Sequence, residues 1–433
     1  MLVIHRFFNS HIKIFLLILS FGLFSCAPAR KADLKPDKPT PSAEFTYSGE
    51  VSIAAVGDII PHGYVKKSAS IQNETAGDGS LNNNGYDFLF QKIKNHLNAD
   101  IAIGNFESPI APNSGNDGMP FVFNAPAAMA AATKGAGINV FNIANNHIYD
   151  QGYKGLLETV DHLKTLSIDH IGLYENDTPA PLIIEKNNIK AGIIGLTTLL
   201  NIFPEDAKDS LYVRKFDPDR DINIISEAKK RVDFLIVYLH WGNEYKKEPS
   251  AEQADYAARL AEAGADIIIG SHPHVLQPVS LVVKNDGAVV PVIYSLGNLI
   301  SNQSRYYVWG VSNEDVGRTR DSAILRFKIK KVRQGDLSST MISELYFIPL
   351  WGYNNTLLYE KKIDKMLTIY PSPIYEEMER IEKEIEQIKG IEEKAGLLKK
   401  LLTEYEMLRA RLEIIKNTIG EDYIATGLVA AGE

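Results

Sequence analysis

The chain has 433 residues, 45% hydrophobic and 23% charged, enough apolar content for one large buried core plus additions. A net charge of -8 and a pI near 5.8 offer no basic face to neutralise phosphates and argue against a nucleic-acid partner. One cysteine excludes an internal disulfide framework and a cysteine-based zinc site.

At the N-terminus, His5, Arg6 and Lys13 lead into the apolar run 14–19, which Leu23, Phe24, Ser25 and Cys26 close. This is the order of a secretory signal over residues 1–26, too short for a comfortable membrane span. Leu23 to Cys26 resembles a bacterial lipobox, which implies cleavage before Cys26 and lipidation of its thiol. The expectation is an exported protein, lipid-anchored to the bacterial cell envelope through Cys26; an ordinary signal peptide with an incidental cysteine is the plainer alternative. Residues 27–46, rich in Pro, Lys, Ala and Ser without hydrophobic periodicity, read as a flexible tether.

From residue 47, short β-branched runs ending in Gly, Asn, Asp or His alternate with segments of helical spacing. They predict strands over 51–56, 100–104, 138–144, 191–196, 232–239, 266–269 and 289–294, with helices over 88–97, 153–166 and 251–263. Such interleaving predicts an α/β domain over 47–350, a layered sheet with helices outside it. In such folds, sites gather beyond the carboxyl ends of the strands.

The residues that follow these strands are therefore the informative ones. The first strand ends at Asp58, with His62 shortly after; the second runs into Glu107; the third into Asn146 and His147, with Asp150 close behind. Two later strands deliver His240 and the pair His272 and His274. Alternation about Pro273 would point both of the paired imidazoles to one side, on a stiffened backbone. Each piece has a plain reading as turn former, cap or core histidine. Together, carboxylate, amide and imidazole groups at one end of five strands are most readily satisfied by a cation.

Beyond a connecting segment, 351–372, the stretch 373–420 is helical in pattern. Ile374, Met378, Ile381, Ile385 and Ile388 alternate spacings of four and three, and Leu398, Leu402, Tyr405, Leu408, Leu412 and Ile415 resume them. The seam shifts near Gly390, so two joined helices or one interrupted helix both fit. A helical hairpin against the main domain is the plainer reading and a partner-binding coiled coil the sharper one. Residues 421–433 read as a frayed tail.

Six motifs occur in the order of a known family: Gly57-Asp58; Asn105-Phe106-Glu107; Ala144 to His147 with Asp150 and Gly152; His240 to Tyr245; Gly270 to His274; and Tyr294 to Asn298. Over roughly 51–300 the chain resembles the capsule-synthesis CapA family, or poly-gamma-glutamate biosynthesis proteins, itself similar to the calcineurin-like metallophosphoesterases. The resemblance implies a layered, metallophosphoesterase-like β-sandwich flanked by helices, holding one or two divalent metal ions. It implies Asp58 as the first-strand ligand, Glu107 in the bridging position, Asn146 as the amide ligand, and His240, His272 and His274 completing the set. His147 matches the histidine that assists the leaving group, with Asp150 placed to orient it. Two departures stand out. The usual Asp-x-His is absent, and His62 would substitute only if its loop folds back; the bridging group is Glu rather than Asp, which leaves metal spacing and count open. Mn, Fe or Zn suit the mixed N and O donors better than Ca.

Such ions activate water and polarise a phosphoryl or carbonyl oxygen. The implied function is a metal-dependent hydrolase of capsule or poly-gamma-glutamate biosynthesis, acting on a phosphoester or on an amide bond of an anionic polymer. The alternative is a non-catalytic polymer-binding or assembly component of a membrane capsule synthase. Lys246, Lys247, Arg305 and Arg318 are candidate cations for such a polymer, and Tyr245, Tyr306, Tyr307 and Trp309 candidate groove residues.

Overall fold

The computed structural model describes residues 46–77, 81–113, 121–175, 178–179, 181–205, 211–335 and 337–425. The signal segment, Cys26 and the tether up to residue 45 lie outside the described residues.

Two sheets organise the domain. The first has eight strands in the order Ile369–Pro373, Leu337–Asn354, Asp321–Gln334, Thr46–Ile59, Ile101–Phe106, Val140–Asn142 and Asp169–Ile171, with Asn298–Ile300 in parallel against the end of Thr46–Ile59. The second has six: Val279–Val283, Val289–Ile293, Ile267–Ser271, Phe234–His240, Ile189–Thr197 and Leu182–Lys186. Their central parallel strands are apolar up to the polar residues near their carboxyl ends, because both faces are covered; every residue of Ile101–Phe106 and Phe234–His240 is buried. Alternation sorts the side chains. Ile53, Ala55, Ile101 and Ile103 of one sheet meet Ile193, Ile236, Tyr238 and Ile269 of the other in a shared core. Ala54, Val56, Ile194, Val237 and Ile268 face the opposite way and join Met129, Leu156, Ile225 and Leu260 of flanking helices. The product is the expected β-sandwich flanked by helices.

All seven predicted strands are present, within a few residues of the expected limits. The helix expected over 88–97 is instead two short 3-10 segments, Asn83–Phe90 and Lys94–Leu97, with i to i+3 bonds such as Ile93 N–H to Phe90 O. The tighter repeat follows a left-handed turn at Asn84 and Gly85, where a Cβ on Gly85 would lie 2.1 Å from the Ala69 carbonyl oxygen. The segment 351–372 is more than a connector: it completes one strand of the first sheet and opens its edge strand, Ile369–Pro373.

The C-terminal helices, Ile374–Ile388 and Ala395–Ile419, are two, separated at Gly390 with φ 85°. Their seam, including Ile374, Ile381, Leu408 and Ile415, packs with Phe347 and Trp351 of the chain's own sheet. Arg411 ties the second helix down, its Nε donating to Asp321 Oδ1 at 2.9 Å and its Nη1 to the Glu314 carbonyl at 3.1 Å. The segment expected to fray is held at its start, where Ala425 N–H donates to Phe347 O at 3.0 Å and Ile424 is buried. No helix of the described residues is long and apolar enough to cross a membrane.

Candidate metal centre

The parallel strands of both sheets end at one edge of the sandwich. Register places Asp58 beside Asn105 and Asn298, Asn105 beside Asn142, and His240 beside Ser271. Two glycines allow the strands to close up there. A Cβ on Gly57 would lie 1.8 Å from the Gly297 carbonyl oxygen, and one on Gly270 would lie 2.0 Å from that of Tyr294.

At this edge Asp58, Glu107, His240, His272 and His274 are all buried. Their donor atoms form two overlapping groups, Glu107 with His240 and His272, and Asp58 with Glu107 and His274, each within 4.8 Å. Glu107 is common to both. Asn146 joins the first group, its Oδ1 3.0 Å from His240 Nε2. His274 Nδ1 lies between two acceptors, Asp58 Oδ2 at 3.1 Å and Asn298 Oδ1 at 3.0 Å, so Nδ1 carries the hydrogen and Nε2, 3.8 Å from Glu107 Oε1, keeps its lone pair.

The paired histidines converge differently from the expectation. They do not alternate along a strand; His272 and His274 adopt φ of 97° and 58°, so a tight loop after Ile267–Ser271 turns both rings inward. Left-handed backbone at non-glycine residues is strained and concentrates at functional sites.

The charges in this cluster are poorly matched by protein groups alone. Burial, then the charge of Asp58, pushes the Glu107 carboxyl well above the usual carboxylate range. Burial also opposes ionisation of Asp58, but the hydrogen bond and charge of His274 and the Asn105 amide hold its pKa below the ordinary value. Burial lowers His240 well below the ordinary imidazole value and lowers His272 to about 3, leaving neutral rings suited to ligation. Glu107 Oε1 and His272 Nδ1 are buried without a hydrogen-bond partner. Two orphaned buried atoms with lone pairs, on residues of one donor group, fit a divalent cation, which would satisfy both.

Beside this cluster, His147 Nδ1 lies 2.7 Å from Asp150 Oδ2, and the Phe123 N–H donates to the same oxygen at 2.6 Å. The Phe123 ring packs 4.2 Å from that of His147 and 5.3 Å from that of His62. His62 accepts the Asn302 N–H on Nδ1 at 3.1 Å and belongs to none of the donor groups among the described residues.

Three residues escaped assignment from sequence. Asn105 is the hub, its Nδ2 reaching Asp58 Oδ1 at 2.8 Å, Glu107 Oε2 at 3.2 Å and His240 Nδ1 at 3.2 Å. Asn298, in the turn read only as a family signature, fixes His274. Glu244 forms a third donor group with His272 and His274. Of the candidate polymer contacts, Tyr245 lies at the rim, 6.1 Å from the His274 ring, and Arg305 stacks on Tyr306 at 4.7 Å. Arg318 is engaged by Asp315 at 2.6 Å, and Tyr307 and Trp309 pack with the C-terminal helices instead of lining a groove.

A bacterial capsule synthesis protein family, PGA_cap, matches residues 52–303. The chain is 31% identical over 341 residues to the PGA biosynthesis protein CapA of Bacillus subtilis, covering 77% of this chain and 80% of that one. It is also 31% identical over 292 residues to the capsule biosynthesis protein CapA of Bacillus anthracis, covering 65% and 64% respectively. Among solved structures, a 5'-nucleotidase precursor from Thermus thermophilus aligns over 68% of this chain and 54% of its own, with 14% identity and a TM-score of 0.37.

Proposed function

This chain belongs to the bacterial capsule synthesis protein family PGA_cap, and on that premise we propose that it is a metal-dependent hydrolase of the cell envelope, anchored through lipidated Cys26, that cleaves a phosphoester or amide bond in an anionic polymer. One observation carries the reading: buried Glu107 is shared by two donor groups, with its own Oε1 and His272 Nδ1 unpartnered. Asp58, Glu107, Asn146, His240, His272 and His274 would hold one or two divalent ions, of which Mn, Fe or Zn suit the donors. Bound there, such ions lower the pKa of water and polarise a phosphoryl or carbonyl oxygen.

The chain's own groups supply the rest. Asp150 accepts from His147 Nδ1, which fixes the ring's tautomer and leaves Nε2 to hold or release a proton at a leaving group. The Phe123 N–H on the same carboxylate oxygen keeps Asp150 from turning away. Asn105 locks Asp58, Glu107 and His240 relative to one another.

The second reading, a polymer-binding or assembly component of a membrane capsule synthase, draws on the relatives, which are named for biosynthesis. Metal content and hydrolysis of phosphodiesters and poly-gamma-glutamate, with Asp58→Ala and His272→Ala as controls, separate the two. Turnover that requires metal and vanishes in both variants supports the hydrolase; bound metal without turnover favours assembly.

A further inference from the structure

We infer that Glu244 is a further metal ligand, closing the centre from its solvent side beside His272 and His274. The inference rests on the metal-centre reading above.

His62 is the residue that sequence order would nominate, and its ring is committed elsewhere, to the Asn302 N–H and to Phe123. Glu244 instead brings a carboxylate oxygen within 4.8 Å of donor atoms of His272 and His274. Its loop is pinned to the loop that carries those histidines. Tyr245, at φ 63°, donates its N–H to the Pro273 carbonyl at 2.8 Å, and Gln277 Nε2 donates to the Lys246 carbonyl at 2.8 Å. Gly242, at φ 88°, makes the turn where a Cβ would lie 2.6 Å from the Gln253 side chain. Glu244 is thus presented by fixed backbone.

Charge and solvent exposure agree with the assignment. Asp58 and Glu107 alone place two negative charges against the four positive charges of two divalent ions. A third carboxylate reduces that excess, while its exposed position leaves it able to swing aside for an incoming anionic oxygen.

The test is titration of chelator-stripped full-length protein with Mn2+ by calorimetry, for the parent and for Glu244→Gln, His62→Ala and Asp58→Asn. Glu244 is exposed, so its variant should keep the parent's thermal midpoint in the stripped state. The expected result is affinity weakened about tenfold or more at one site in Glu244→Gln, on the scale of a lost contact at a metal, and parent-like binding in His62→Ala. Unaltered binding in Glu244→Gln while Asp58→Asn loses a site overturns the role of Glu244 and leaves the metal centre standing. No Mn2+ uptake by the parent overturns both.

Discussion

Replacing Arg411 with methionine should release the C-terminal hairpin from the domain that carries the site, with a pH dependence fixed by Asp321. Both side chains are almost wholly buried, and the guanidinium spans Asp321 and the Glu314 carbonyl while lying 5.4 Å from the Trp351 ring. Burial pushes the Asp321 carboxyl from 3.8 up to about 6 even with Arg411 opposing the shift. That rise is about two units, or about 3 kcal/mol at 1.36 kcal/mol per unit. Because the folded value lies above the unfolded one, this stability is present below the unfolded pKa and is lost as pH rises through about 6. Removing Arg411 removes the group that limits the shift, so the pKa climbs further and the variant at neutral pH must either bury an unpaired carboxylate or take up a proton to fold. The loss at about pH 7.5 should exceed the loss at about pH 5, where Asp321 is protonated with or without Arg411, by up to about 2 kcal/mol, the roughly 1.5 units between about 6 and about 7.5 at 1.36 kcal/mol each. Urea unfolding at both pH values measures it, and adding Asp321→Asn to Arg411→Met should recover part of the neutral-pH loss. A cost under about 1 kcal/mol at neutral pH, or one that does not vary with pH, would refute the reasoning.

Glu107→Gln should raise the thermal midpoint of the metal-stripped protein, by about 1 kcal/mol in stability, while abolishing tight Mn2+ uptake; a destabilised stripped protein would contradict it. His147→Asn should lower kcat about 10²- to 10⁴-fold with metal content unchanged, and lost metal would move His147 into the ligand set. Mn2+ at about a hundred times its Kd should stabilise the stripped protein by about 2.7 kcal/mol, and an unmoved thermal midpoint would count against the centre.

Much of this site was legible because parallel strands deliver their terminal residues to one edge. Asp58, Glu107, Asn146, His240, His272 and His274 are singled out by strand-end placement together with the order of the family motifs, Asp58 through that company more than through its own context. What stayed hidden depends on backbone geometry between segments distant in sequence. The left-handed φ of His272 and His274 leaves no mark on the spacing His-Pro-His, which an extended strand would also carry. Glu244 approaches the centre only because Tyr245 is bonded to the Pro273 carbonyl, and Asn105 becomes a hub only when strands from both sheets surround it. The hairpin formed by Asp321–Gln334 and Leu337–Asn354 was missed because its distal half is half exposed and rich in charge. The C-terminal stripe was clear, but the same Ile and Leu spacing serves a partner helix or the chain's own sheet, and only the fold shows Phe347 and Trp351 beneath it.

The most direct measurement is diffraction from Mn2+-soaked crystals at the manganese absorption edge. Anomalous density is expected against Glu107, flanked by His240, His272 and Asn146 on one side or by Asp58 and His274 on the other, and absent in His272→Ala and Asp58→Ala crystals respectively. No anomalous density at Glu107 in a soaked crystal of the parent protein would contradict the metal centre and the hydrolytic function built on it.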